Sequence, residues 1–573
     1  MGQHGPRANM IYSPQSFGSA MPTDPKSGLQ FQAQSSHGSY SNFRFMDDRK
    51  KSELHFKEFC RRPTLLNAIL VSVLVLYFLH FALPSLSVRF NDDEMTNIWF
   101  YWFPGALKSL WANVCFWTPF YRPGGALYYL PLYHFFALNP QPYRVVQISI
   151  LAASIPIIYY LSLSLASSRS VAFLAVLALC YHVRLANLVF VGSFIYDVLC
   201  GFFYFAALAY YIHIREAEGH LHPRQLCGFL ALYVCALNCK EMAVTLPVMV
   251  LIYELLKCPR WADWKHFGRW ARSSAVTPLV AGLLTALYIY GKTHGPRSLV
   301  RFDAYRPRYS WSTFVTTNTQ FVSELFYRFP HHVISYTALL VLWALVFIYA
   351  FLRRDRVLQL MAFWVVVVPL PIAFIVPIRG GACLYLLLFG WAMMLAKLAS
   401  DLITLISKSS MLIGQTAGVV AAIGAIIGGT ATGRVRGAAI GAAAGAAAAK
   451  MPPSIFRIVA AFIVAFSLAS FTQRENQRVK RRWPNLGQKT SHVIQAFRSL
   501  DLHPAPGSTI LLTGNPFGEE WYPWFIASLV WNDHSLRIWL EDKHQLTPRQ
   551  LANVNYVISL SEFQAKIVRA PEL

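Results

Sequence analysis

The sequence predicts an all-α polytopic membrane protein, of about 11–13 transmembrane helices, with a small C-terminal soluble α/β domain. Composition is the first support. Of 573 residues, 55% are hydrophobic, 15% aromatic and only 14% charged, where a soluble protein carries about 25% charged residues. The second support is the recurrence of apolar runs near the roughly 20 residues that cross a bilayer. Because lipid leaves every backbone polar group to be paired internally, those runs must be helices. The third is the change in pattern after residue 484, where short β-type runs alternate with turns.

The formal charge of +24 would suggest nucleic acid in a soluble chain. Here the basic residues gather in short clusters beside apolar runs, "KEFCRR", "KCPRWADWKHFGRWAR" and "LRRDR". Such clusters set orientation and touch anionic headgroups, so membrane lipid is an expected partner and nucleic acid is not. The nine cysteines spell no disulfide framework. Cys235 and Cys239 share a helical face, but no further ligands complete a metal site.

In chain order, residues 1–58 are rich in Ser, Gly, Gln and Pro, cannot bury a core, and are expected to be disordered. They lack the apolar region of a signal peptide. A membrane region is expected over 59–410. Its first span, 63–87, runs outward from "KEFCRRP". Residues 100–140 are aromatic and Pro-rich, which suits helices lying at the interface. Spans follow near 143–166, 170–183, 188–213, 225–239, 243–257, 274–291, 333–352, 357–376 and 382–404. The 292–332 stretch reads as a long outer loop. Residues 411–450 are a Gly/Ala-rich insert with small residues at spacing four (Gly437, Gly441, Gly445). That pattern lets helices approach closely, as a hairpin or through self-association; a low-complexity insertion without function reads equally well. A last span falls within 451–475, and 476–573 forms the soluble domain, with strands in "STILLT", "LRIWLE" and "NVNYVISL". The side of this domain is contradictory: "RENQRVKRR" argues for the cytoplasm, and the span count argues for the outside.

Ionisable groups at membrane depth mark functional candidates. "NDDEMTNIW" places Asp92, Asp93 and Glu94 at the outer mouth of the first span. Carboxylates there can hold a cation bound to phosphate or take a proton from a hydroxyl; a plain acidic loop is the other reading. "FYRPGGALYYLPLYHFF" brings Arg122 and His134, the Arg being either a phosphate clamp or a headgroup anchor. Lys240 and Glu241 interrupt an apolar stretch in "ALNCKEMAVTLPVMVLIYELL", as phosphate ligands or as a solvated turn. "VPIRGGACLYLLLFG" supplies Arg379 at a span end and Tyr385 further in. The expected topology puts all four places on one side, which suits an anionic lipid substrate.

These segments, in this order, also resemble the membrane-embedded glycosyltransferases of the GT-C fold, and most closely the protein O-mannosyltransferase-like branch. The resemblance runs over about 60–472, apart from the Gly/Ala insert, and rests on "DDE", "FYRPGGALYY", "LNPQPYRVV", "NCKEMAVTLPVMVLIYEL" and "IRGGACLYLLLFG". It implies transfer of a sugar from a polyprenyl-phosphate donor to an extracytoplasmic acceptor. Asp92 or Asp93 would be the acid that activates the acceptor. Arg122, Lys240 and Arg379 would neutralise the departing phosphate, and Glu241 would support Lys240. His182 and Asp197 match a further motif and imply contacts to acceptor or sugar, as does His134. In metal-using relatives a divalent cation, magnesium or manganese, would sit on Asp92 and Asp93. The chain departs from the branch at Asn187, at Arg144 and Gln147, and at "YRPGG".

A multi-pass glycosyltransferase is therefore expected, lodged in the inner membrane if the chain is bacterial. A flippase for an anionic lipid or sugar, or a non-catalytic glycine-zipper assembly protein, are the alternatives.

Overall fold

A computed structural model describes residues 65–115, 122–257, 267–268, 270–294, 305–408, 452–518, 520–544 and 546–570. The expected disorder over 1–58 and the Gly/Ala-rich insert at 411–450 lie outside the described residues.

The chain is a helical membrane bundle with one small sheet domain. α1 (Leu65–Ala82) is apolar all round, so one face meets lipid and the other packs inward. Phe78 and Phe81 are buried, Phe81 stacked on Tyr181 at 4.5 Å, while Leu65 and Leu76 lie exposed. The "NDDE" segment then starts α2 (Asp92–Trp102). Asn91 caps it, and Glu94 closes a capping box by accepting the Asn91 amide at 2.9 Å. Acidic residues in a first turn complement the helix dipole, so the triplet has a local reason to stand where it does. α3 (Ala106–Val114) and α4 (Ala126–Phe136) follow as the short aromatic helices expected at the interface.

The bundle proper uses α5 (Pro140–Ala166), α6 (Arg169–Cys180), α7 (Ile195–Glu218), α8 (Pro223–Cys239), α9 (Leu246–Lys257) and α10 (Val276–His294). It is completed by α11 (Trp311–Leu325), α12 (Tyr336–Leu352), α13 (Arg356–Val367), α14 (Tyr385–Lys408) and α15 (Pro453–Val479). Among the described residues, six helices are long and apolar enough to cross a membrane, or up to seven if a bent pair counts as one. The pair is α6 with 183–190, bent by 45°. The other expected spans, α8, α9, α10 and α12, fall short of that length or apolarity, and α8 ends at Lys240. The reading of 292–332 as a loop is corrected: α11 occupies Trp311–Leu325, burying Phe314, Val315, Phe321, Val322 and Leu325.

After α15 the chain forms α16 (Gln488–Arg498), β1 (Thr509–Thr513), α17 (Tyr522–Trp531), β2 (Arg537–Leu540), α18 (Pro548–Ala552), β3 (Tyr556–Leu560) and β4 (Ala565–Arg569). The sheet order is β2-β1-β3-β4, parallel except for antiparallel β4 at the edge. The first three strands fall on the expected runs, and β4 is an addition.

This domain is seated on the membrane region through aromatic rings. Trp99 meets Trp524 at 4.6 Å and Phe525 at 5.1 Å, and Trp102 stacks on His534 at 3.8 Å. The Tyr133 hydroxyl donates to the Leu529 carbonyl at 2.7 Å. Gly487, at φ 74°, abuts the Phe90 backbone so closely that no Cβ would fit. The domain therefore sits at the same end of the bundle as Asp92–Glu94.

Candidate functional site

The site gathers where the C-terminus of α8 meets the start of α7 and of α14. Lys240 is extended (φ −158°, ψ 150°), and successive side chains on extended backbone point opposite ways. Lys240 and Glu241 therefore part company. The expectation that Glu241 supports Lys240 is corrected. Lys240 Nζ donates to Asp197 Oδ1 at 2.5 Å and lies 3.2 Å from Cys383 Sγ. Both charges are almost fully buried, at 5% and 6% exposure. Glu241 accepts from Arg122 instead, with Nε at 3.2 Å and Nη2 at 3.0 Å. Burial works to raise the Glu241 carboxyl, but the Arg122 guanidinium, with Lys240 behind it, brings it down to about 2. This is a charge-assisted bidentate pair. Two ion pairs thus stand side by side, one buried and one half-open.

Arg122 adopts the left-handed conformation at φ 45°, which costs a non-glycine residue energy and must be held by its surroundings. Its carbonyl accepts from the Tyr101 hydroxyl at 2.8 Å, and its guanidinium lies 5.2 Å above the Tyr196 ring. The two glycines of "YRPGG" are demanded by close packing. A Cβ on Gly124 would meet Cys239 and the Asn238 backbone, and one on Gly125 would meet Tyr101 and Tyr196. The loop can approach α8 only without side chains there.

Asp93 stands on α2, about two turns before Tyr101, whose hydroxyl bonds to the Arg122 carbonyl and the Tyr196 hydroxyl. Its carboxyl is exposed at the surface. The protein packed around it, and next the negative charge of Asp92, raise it above the usual carboxylate range. Asp92 turns towards the C-terminal domain and accepts from Thr490 Oγ1 at 2.9 Å.

Glu94, expected beside them as a catalytic group, is fully buried. Both its oxygens accept from Arg144 at 2.8 Å, and Arg144 Nη2 also donates to the Arg89 carbonyl. Glu94 is thus an anchor of α2 on α5, and Arg144 finds its purpose as that partner. Gln147 Nε2 reaches the carbonyls of Leu188 and Val191 at 2.7 and 3.3 Å. Arg144→Ala strands the Glu94 charge in the interior, a loss of about 3–5 kcal/mol. Its expected readout is a lower melting temperature of the purified protein in detergent, with unaltered melting as the contrary result.

The remaining expected residues divide. Arg379 lies 4.5 Å from the Tyr305 ring, just before the glycines that lead to Cys383 and hence to the Lys240 corner. Tyr385 packs against Gly201 and meets Phe205 edge-on at 5.9 Å, inside the bundle. His182 lies 3.1 Å from the Leu325 carbonyl and rests against Tyr327 at 4.5 Å. His134 is not brought to the ion pairs. It lines a groove of about 610 Å³ between α3, α4 and the C-terminal domain.

Sequence reasoning missed two charged residues. Glu324 on α11 accepts the Gly381 amide at 2.7 Å. Burial raises its carboxyl against the Gly381 amide and Arg184, which favour the charge. Asn187 and the Arg184 carbonyl lie within 4 Å of where a Cβ on Gly381 would stand. Lys292, near the end of α10, lies 5.4 Å from the Tyr288 ring and within electrostatic reach of Glu241 and Arg122. An isolated acid inside a presumed loop and a lysine flanking a span carried no signal beyond their charge.

Among the described residues, no three His, Cys, Asp or Glu side chains are grouped to hold a metal. Asp92 and Asp93 would offer a divalent cation two carboxylates and no third such ligand. Chemically, the arrangement offers cations for an anionic leaving group and an exposed carboxylate that binds a proton more readily than usual.

No protein-family model matches the chain, and no curated protein matches it in sequence. Solved structures similar to it include ArnT from Cupriavidus metallidurans in the apo state, at 13% identity and TM-score 0.44, covering 82% of this chain and 85% of that one. The same protein bound to undecaprenyl phosphate is similar at 14% identity and TM-score 0.44, covering 83% and 86%. The oligosaccharyltransferase of Archaeoglobus fulgidus in the apo form is similar at 13% identity and TM-score 0.41, covering 87% and 70%. At this level of superposition the likeness assigns no role to any residue of this chain.

Proposed function

We propose that the chain is an integral membrane glycosyltransferase of GT-C type. It moves a sugar from a polyprenyl-phosphate donor to a hydroxyl-bearing acceptor at the outer face. One observation carries this reading: the Lys240–Asp197 and Arg122–Glu241 pairs stand side by side at the end of α8, and α2, which carries Asp93, is tied to the Arg122 carbonyl through the Tyr101 hydroxyl.

The donor phosphate lies against Arg122 and Lys240, with Arg379 and Lys292 at the margin. As the acceptor oxygen attacks the anomeric carbon, the bond from that carbon to the phosphate oxygen breaks. Its electron pair stays on the phosphate. The cations stabilise the charge that gathers there, and Glu241 and Asp197 hold them in place. Asp93 takes the acceptor's proton, which its raised affinity for protons favours. The products are the glycosylated acceptor, free polyprenyl phosphate and protonated Asp93, which returns its proton to water.

The test uses the purified full chain in nanodiscs, radiolabelled polyprenyl-phosphate hexoses and pentoses, and native membrane extract as acceptor. Label is expected to move to an extract component with the wild type, and not with Asp93→Asn or Lys240→Ala. Intact donor that crosses the bilayer in liposomes would replace catalysis with transport of an anionic lipid.

A further inference from the structure

The C-terminal domain does more than sit on the bundle. Its α16 and α17 reach the two adjacent carboxylates of the first loop, one each. Thr490, in the first turn of α16, is fully buried, and its hydroxyl donates to Asp92 Oδ1 at 2.9 Å. Tyr522, the first residue of α17, places its hydroxyl 3.5 Å from Asp93 Oδ1, at the outer limit of a hydrogen bond. The two contacts are unequal: one short and buried, the other long and open to water. Both helices are held in register by contacts of their own. Gly487, immediately before α16, is pressed on the Phe90 backbone, and α17 lies under Trp99.

We infer that the C-terminal domain selects the working carboxylate of the site: Thr490 ties Asp92 down, and Tyr522 bridges loosely to Asp93, leaving Asp93 to accept the acceptor's proton. This rests on the proposed glycosyltransferase reading. Thr490 and Tyr522 are positioning residues, acting through Asp92 and Asp93. The physical basis is the behaviour of neighbouring carboxylates. Two adjacent acids share protons and titrate as a pair unless their surroundings separate them. A hydrogen bond from a buried hydroxyl holds the Asp92 carboxylate towards the domain, whereas the Asp93 carboxylate has only the long Tyr522 contact from the domain. Among the described residues, the charged and titratable groups that act on Asp93 are Asp92 and Glu94 on α2, Glu520 and Tyr522 on the domain, and Tyr196 on α7. The acidic neighbours disfavour its charge, and the Tyr522 hydroxyl donates to it.

Two measurements test this on the full chain in nanodiscs. The first needs no substrate: difference infrared spectra across pH of protein labelled with 13C at aspartate carboxyls. The Asp92 and Asp93 bands are assigned by their loss in Asp92→Asn and Asp93→Asn. Tyr522→Phe is expected to raise the Asp93 midpoint by up to about one pH unit, because a donor to the charged form is removed. Thr490→Val is expected to shift the Asp92 band, and Thr490→Ser to restore it. The second is transfer from the radiolabelled polyprenyl-phosphate sugars. Thr490→Val is expected to lower kcat about tenfold with donor KM unchanged, and Tyr522→Phe to move the acid limb upward by the same amount as the infrared midpoint. A merely structural role for Thr490 and Tyr522 would move neither a midpoint nor a limb. Bands that stay put in both variants overturn the assignment. Bands that move as expected while Asp93→Asn transfers sugar at the wild-type rate overturn the catalytic reading itself, and leave only the hydrogen bonds standing.

Discussion

Lys240→Ala is expected to abolish sugar transfer and to weaken the fold together. The side chain is buried with Asp197, at 5% and 6% exposure, and the two meet at 2.5 Å. Breaking such a pair leaves one charge in the interior without compensation, at about 3–5 kcal/mol. The reaction loses a cation at the point where negative charge develops, which costs about 10²–10³-fold in rate. The two losses separate on a paired replacement. Lys240→Met with Asp197→Leu leaves no charge buried, and buried ion pairs exchanged for apolar side chains are often neutral in stability. The double variant is expected to regain most of the melting temperature in detergent and none of the turnover. A single variant that melts and turns over like the wild type would remove Lys240 from the site altogether.

The elements that were legible in the sequence are those whose signal is local. Long apolar windows located the spans: the run at 143–166 lies in α5, Pro140–Ala166, and the run at 382–404 overlaps α14, Tyr385–Lys408. The strands "TILLT", "RIWL" and "YVISL" showed as short β-branched runs between turns. α11 was hidden because "WSTFVTTNTQFVSEL" is full of threonine, a weak helix former with a competing hydroxyl. Only the burial of one face makes it a helix.

The site was half legible for the same reason. A charge inside an apolar run announces itself, so Arg122, Lys240 and Glu241 could be picked out singly, while Asp197 was named only through the family resemblance. Their pairing could not. The extended backbone at Lys240 turns it from its neighbour, and the side-by-side packing of α7 and α8 delivers Asp197 to it. Glu94 looked like its two neighbours in sequence, yet the capping box and Arg144 took it into the interior. Thr490 lies 398 positions from Asp92, and nothing in a threonine at the start of a helix forecasts so distant a partner.

The second large effect follows from Asp93, and here activity and stability are expected to move apart. Asp93→Asn removes the proton acceptor and is expected to lower transfer by about 10²–10⁴-fold. The fold should gain or stay level. The surrounding protein and then the Asp92 charge raise the folded carboxyl above its unfolded value. A raised acid is easier to protonate when folded, so ionising it works against folding. That cost is absent below the unfolded value of about 3.9, grows as pH rises through the window between the two values, and is complete above the folded one. Asparagine has no charge to lose. The melting temperature of Asp93→Asn should therefore match the wild type in acid and equal or exceed it at neutral pH. Activity of the wild type runs the other way. It needs the ionised carboxylate, so its acid limb should lie above the range of an ordinary aspartate. A residue whose loss destroys turnover and does not harm the fold is held in place for chemistry. If Asp93→Asn instead melts lower at neutral pH and keeps its turnover, the acidic loop is structural, and the proton acceptor must be sought elsewhere among the carboxylates at this end of the bundle.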